Sequence, residues 1–79
     1  ARYRIETNIG AAHLRAGRPA EALAHWRAAL ALRPNDVKAR GNVALGLFAT
    51  GEATDALLLA KAILTDAPGQ PSAIVVLYN

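Results

Sequence analysis

Asn8-Ile9-Gly10-Ala11-Ala12-His13-Leu14, then Gly17-Arg18-Pro19, Ala22-Leu23-Ala24-His25-Trp26 and Leu32-Arg33-Pro34, form a skeleton that occurs twice along the chain. Asn8 returns as Asn42, Gly17 as Gly51, Glu21 as Asp55, Ala22 as Ala56 and Pro34 as Pro68. Each partner stands 34 residues further on (42 minus 8, for example). A constant period in this range marks stacked units, each too small to bury its apolar face alone.

Within the period the apolar spacing is helical. Ile5, Ile9, Ala12 and Ala16 predict a first helix over 3–16. Gly17 ends it with a permissive backbone, and Pro19 suits the first position of a second helix over 19–32. Leu23, Trp26, Ala29 and Leu30 share one face of that helix. Small residues at Gly10 and Ala22 should let the two backbones approach, with Trp26 filling the volume left between them. Pro34 disfavours helix at the preceding residue, and Asn35 or Asp36 can cap a third helix over 36–50. Val43, Leu47 and Phe48 should face inward there. A fourth helix is expected over 53–66, with Leu57, Ala60, Ile63 and Leu64 inside. A short fifth follows the break Pro68-Gly69-Gln70-Pro71; Pro71 or Ser72 opens it, and it runs from 73 to about 78.

The period and the residues at fixed offsets resemble the tetratricopeptide repeat. Its pattern is Trp-x2-Leu-Gly-x2-Tyr, then Ala-x3-Phe, then Pro. The first copy matches at Ile9, Gly10, Ala22, Trp26 and Pro34, and departs at Glu6 and His13. The second matches at Val43, Ala44, Ala56 and Pro68, and departs at Arg40, Leu47 and Ala60. A third begins with Ile74 and Leu77 at the matching spacing. The resemblance covers essentially the whole chain. It implies an all-α fold of antiparallel helix-turn-helix repeats stacked as a right-handed superhelical segment. The units would be 3–36, 37–70 and a truncated 71–79, forming a single domain over 1–79.

Seventy-nine residues make one small domain. There are no cysteines, which excludes disulfides and thiolate metal sites. No apolar run is long enough to span a bilayer, and no signal peptide is visible at the start. The chain has no initiator methionine and stops inside a repeat, so it reads as an excised piece of a longer protein. Its compartment is not encoded, with the cytoplasm as the default expectation. A net charge of +3 attracts acidic peptides, nucleic acid or anionic membrane without choosing among them.

In the resembled family the first helix of each repeat lines the concave face. Here those faces would carry Arg4, Asn8, Ala11 and Arg15, then Lys38, Asn42, Leu45 and Ala49. Arg4 with Asn8, and Lys38 with Asn42, are four residues apart, so each cation lies beside a carboxamide. A carboxamide both donates and accepts, and so can satisfy the backbone of an extended peptide. The cations would favour an acidic side chain or a free C-terminus. The repeated asparagine resembles the asparagine ladder of the O-linked N-acetylglucosamine transferase superhelix. The Lys/Asn/Arg set resembles the carboxylate clamp of heat-shock chaperone adaptors, although the third-repeat clamp positions are Ser72 and Val76. The alternative is that both asparagines make inter-helix bonds or face water.

Other residue types point away from catalysis. His13 takes a position that is normally aromatic, so packing accounts for it, and His25 should be exposed. Two histidines and scattered carboxylates do not make a tetrahedral metal site, and no cofactor is expected. Gly17 and Gly51 are helix stops with no phosphate-loop Lys-Ser/Thr after them. Trp26 belongs to the core rather than to a base-stacking groove.

The expected role is a protein-interaction scaffold that holds a peptide in the concave groove. The alternative is a structural segment that self-associates through Leu58, Leu59, Ile74, Val75, Val76 and Tyr78. Leu58 and Leu59 should face outward, and the fifth helix is apolar all round, unlike the polar outer face of a terminal repeat. RNA binding ranks third, because only the asparagine and the cation recur at fixed positions.

Overall fold

The computed structural model describes residues 2–78 as five helices. They are α1 (Arg2–Arg15), α2 (Pro19–Leu32), α3 (Val37–Ala49), α4 (Ala53–Asp66) and α5 (Pro71–Tyr78). The described residues contain no strand, so the all-α expectation holds. Ala1 and Asn79 lie outside the described residues. α1 packs on α2, α2 on α3, α3 on α4, and α5 against both α3 and α4. The architecture is two antiparallel hairpins in succession, with α5 added to the second.

Both hairpin turns are built alike. Gly17 and Gly51 take left-handed backbone, with φ of 79° and 88°. In the first turn the Arg18 amide donates to His13 O (2.9 Å) and the Gly17 amide to Leu14 O (3.1 Å). In the second, Glu52 donates to Leu47 O (2.9 Å) and Gly51 to Phe48 O (3.1 Å). These crossed bonds satisfy the last helical carbonyls, and they require a residue that tolerates positive φ.

The connections between hairpins also repeat. Asp36 caps α3, its carboxylate accepting from the Lys38 and Ala39 amides at 2.8 and 3.3 Å. Gln70 stands 34 residues later and caps α5, its Oε1 accepting from the Ala73 amide at 2.9 Å. With this cap α5 starts at Pro71, the earlier of the two openings that the sequence offered. The other helix ends fall within a residue or so of those predicted.

The core runs through Leu23, Trp26, Val43, Leu47, Ala56, Ala60, Ile63, Ala73 and Val76. Trp26 is buried, and its Nε1–H donates to the Thr7 carbonyl at 3.1 Å. A Cβ on Gly10 would fall 2.5 Å from the indole ring. Gly10 therefore makes room for Trp26 itself. The second hairpin solves the same packing differently. Ala44 and Ala60 replace Gly10 and Trp26, and Ile63 stands where the first hairpin has Ala29. The bulky side chain has moved three residues, about one helical turn, along the helix.

Ile5 and Ile9 are exposed, at 56% and 37%, because α1 turns Gly10 inward and is covered on one side only, by α2. Three sequence expectations need correction. Leu57 is 37% exposed, because the buried stripe of α4 is Ala56, Ala60 and Ile63. Leu59 does not face outward but packs on the core. His25, at the equivalent place in α2, is likewise half-buried. His25 leans back against α1, where it meets Glu6 and His13.

Candidate functional site

A cleft of about 790 Å³ opens between the first half of α1 and the start of α3. Tyr3, Arg4, Ile5, Thr7 and Asn8 line it from α1, Arg33 and Asp36 from the α2–α3 connection, and Lys38 from α3. The antiparallel hairpin brings the beginning of α1 to the end of α2, which is how Tyr3 meets Arg33. The Arg33 guanidinium lies 4.1 Å from the centroid of the Tyr3 ring, a cation–π contact that holds both side chains at the cleft wall. Thr7 turns its hydroxyl to the Tyr3 carbonyl at 2.8 Å.

The electrostatic balance of the lining is positive. Arg4, Arg33 and Lys38 face one carboxylate, Asp36. That carboxylate is already engaged in capping α3, and its second oxygen is 4.0 Å from Arg33 Nη1. Arg4, Lys38 and Asn8 are exposed and so available to a ligand. Cations on a shared concave wall favour an anionic group, and the nearby carboxamide can bond a peptide unit.

Three of the sequence-predicted residues, Arg4, Asn8 and Lys38, meet in this cleft. The others lie elsewhere. Arg15 is exposed at the far end of α1, while Ala11 and Leu45 pack on the core. Asn42 is half-buried and outside the cleft lining. Positions 8, 42 and 76 are equivalent by the period, yet they run from exposed through half-buried to buried. The cause is packing: α5 lies directly on α3, whereas the cleft stands between α1 and α3.

Of the proposed self-association residues, Leu58 (63%), Ile74, Val75 and Tyr78 (80%) are exposed. Val76 is 2% exposed and belongs to the core, because α5 turns Ala73 and Val76 towards α3 and α4.

Sequence reasoning missed Tyr3, Arg33 and Asp36 as cleft residues. Arg33 directly precedes Pro34, where the chain must leave the helix, and a hairpin places that point beside the start of α1. Sequence reasoning also missed a row of polar contacts on α1 and α2. Glu6 accepts from His25 Nδ1 at 2.7 Å, His25 stacks on His13 with ring centroids 5.4 Å apart, and Arg18 Nε donates to His13 Nδ1 at 3.1 Å. No group of three or more potential metal ligands occurs among the described residues. No helix there is long and apolar enough to cross a membrane.

A tetratricopeptide repeat family model matches residues 7–71. A search of curated proteins finds no match to the chain.

Proposed function

The chain belongs to the tetratricopeptide repeat family, a family of protein-interaction modules, and from that premise we propose that its α1–α3 cleft holds an acidic peptide segment of a protein partner. The observation that carries the reading is the convergence of Arg4, Arg33, Lys38 and Asn8 around one open cleft. The partner's carboxylates, from acidic side chains or a free C-terminus, would meet the cations. Asn8 would bond the peptide backbone. The units 3–36, 37–70 and 71–79 would act together as one binding domain, with no catalytic role of their own.

The test is fluorescence anisotropy with labelled acidic peptides, one bearing a free C-terminus and one amidated. Lys38→Glu and Arg4→Glu should each weaken binding by about tenfold, the worth of one charged hydrogen bond. Added salt should weaken it too, because exposed charges are screened. Equal affinity in wild type and in the doubly reversed variant would sink the cleft reading. Tighter binding to an RNA oligonucleotide than to any peptide would transfer the site to nucleic acid.

A second reading, self-association with another copy of this chain, is favoured by the exposed Leu58, Ile74, Val75 and Tyr78 on α4 and α5. Leu58→Glu with Val75→Glu is the apt variant, since Val76 and Leu59 support the core. Light scattering should show a dimer that becomes a monomer in the double variant. A wild-type monomer at every concentration disposes of the idea.

A further inference from the structure

The cleft between α1 and α3 carries more positive charge than one carboxylate can neutralise. Arg4, Arg33 and Lys38 line it with a single carboxylate, that of Asp36, which leaves a net charge of +2 (3 minus 1). Asp36 is committed as the cap of α3, where its Oδ1 accepts from the Lys38 and Ala39 amides. Those amides are therefore not open to a ligand, and the positive charge of the site comes from side chains.

The three cations are free to be paired. Among the described residues, neither the Arg4 side chain nor the Lys38 side chain makes a hydrogen bond or ion pair. Arg33 Nη1 stands 4.0 Å from Asp36 Oδ2, too far for a hydrogen bond. Yet the guanidinium is held in place, because it stacks 4.1 Å from the centroid of the Tyr3 ring. Stacking occupies the flat face of a guanidinium and leaves the donors along its edge. An arginine fixed in this way can meet an oxyanion with two parallel bonds and loses less side-chain freedom in doing so.

The charge and the donors select the anion. A carboxylate brings one negative charge and two oxygens. A phosphate monoester at neutral pH brings about −1.5 to −2 charges and three acceptor oxygens. Three separate cations and a net charge of +2 match the phosphate better. The rest of the lining argues against a nucleic acid as its source. Tyr3 is the one aromatic residue there and already carries Arg33, so a base would have to displace the arginine in order to stack. Ile5 is 56% exposed beside the cations, and it suits the flank of a peptide rather than a second phosphate.

Resting on the peptide-binding reading above, we propose that the anion held by Arg4, Arg33 and Lys38 is the phosphate of a phosphorylated side chain in the partner peptide. Arg33, preset by Tyr3, makes the two-bond contact. Arg4 and Lys38 neutralise the remaining charge from either wall.

The test is fluorescence anisotropy with one labelled peptide made in three forms, with serine, glutamate or phosphoserine at the central position. Phosphoserine should bind about tenfold more tightly than glutamate, the worth of one added charged hydrogen bond. Arg33→Lys keeps the charge and loses the planar fork, so it should cut that advantage to about threefold or less. Tyr3→Leu should reduce it as well, by releasing the guanidinium, with circular dichroism showing the helices intact; if that variant does not fold, Arg33→Lys decides. Inorganic phosphate should compete only at far higher concentration than the phosphopeptide. Equal binding of the glutamate and phosphoserine forms overturns the phosphate assignment while the acidic-peptide reading stands, and binding of none of the three forms overturns both. An advantage unchanged in Arg33→Lys overturns the role of the stacked arginine. Inorganic phosphate as potent as the phosphopeptide, or a polyuridylate oligonucleotide bound more tightly than it, overturns the peptide as the source.

Discussion

Trp26→Ala should destabilise the domain by about 3–5 kcal/mol, the usual loss for truncating a buried tryptophan. A domain of this length holds roughly 4–12 kcal/mol in total, so the variant should be close to unfolded. The reason is local. The indole fills the space that Gly10 leaves open, and its N–H ties α2 to the Thr7 carbonyl of α1. Ala22 and Ala29, its neighbours on the buried face of α2, have no side-chain reach to fill the hole. Urea denaturation followed by far-ultraviolet circular dichroism would measure the loss. Adding Ala29→Ile should recover part of it, since the second hairpin packs with Ala60 and Ile63 at the equivalent positions. A loss below about 1 kcal/mol would mean that the first hairpin does not depend on Trp26.

Ile63→Ala should cost about 2–5 kcal/mol. Ile63 has no exposed surface, and it ranks with Val76 among the largest fully buried side chains. Its helix neighbours on the buried stripe, Ala56 and Ala60, leave it as the bulky residue of that face. The damage should also be placed differently from that of Trp26→Ala. Stacked hairpins are stabilised mainly by their nearest neighbours, so hydrogen exchange should rise first in α4 and α5, with α1 and α2 affected less. Equal loss of protection in all five helices would show the domain to unfold as one unit, without the neighbour-by-neighbour stability expected of a repeat stack.

The contrast between these residues explains how far the sequence could be read. Gly17 and Gly51, Pro34 and Pro68, and Asp36 act through local backbone geometry. Their roles follow from residue type and spacing, and the helix boundaries were legible from them. Burial was less legible. The spacing of Ile5 and Ile9 marks a helix, but a periodic face says nothing about how many neighbours will cover it. In α5, Val75 and Val76 are chemically identical and adjacent, and the packing of α3 and α4 buries one and leaves the other exposed.

The candidate site divides in the same way. Arg4, Asn8 and Lys38 could be picked out because they occupy the positions of a recurring helix that the family resemblance puts on the concave face. Asn42 occupies the same position, yet it is half-buried outside the cleft. Tyr3 and Arg33 are 30 residues apart (33 minus 3), and Glu6 and His25 are 19 apart. Such partners have no spacing rule that selects them, because their meeting depends on how one helix is rotated and shifted against the next. By itself the sequence determined the family, the five helices, their order and the turns between them, all of which follow from short-range sterics and hydrogen bonding. The tertiary structure alone decided where the cleft opens, which apolar side chains remain exposed, and that two histidines stack between Glu6 and Arg18, because side-chain packing between helices sets these distances.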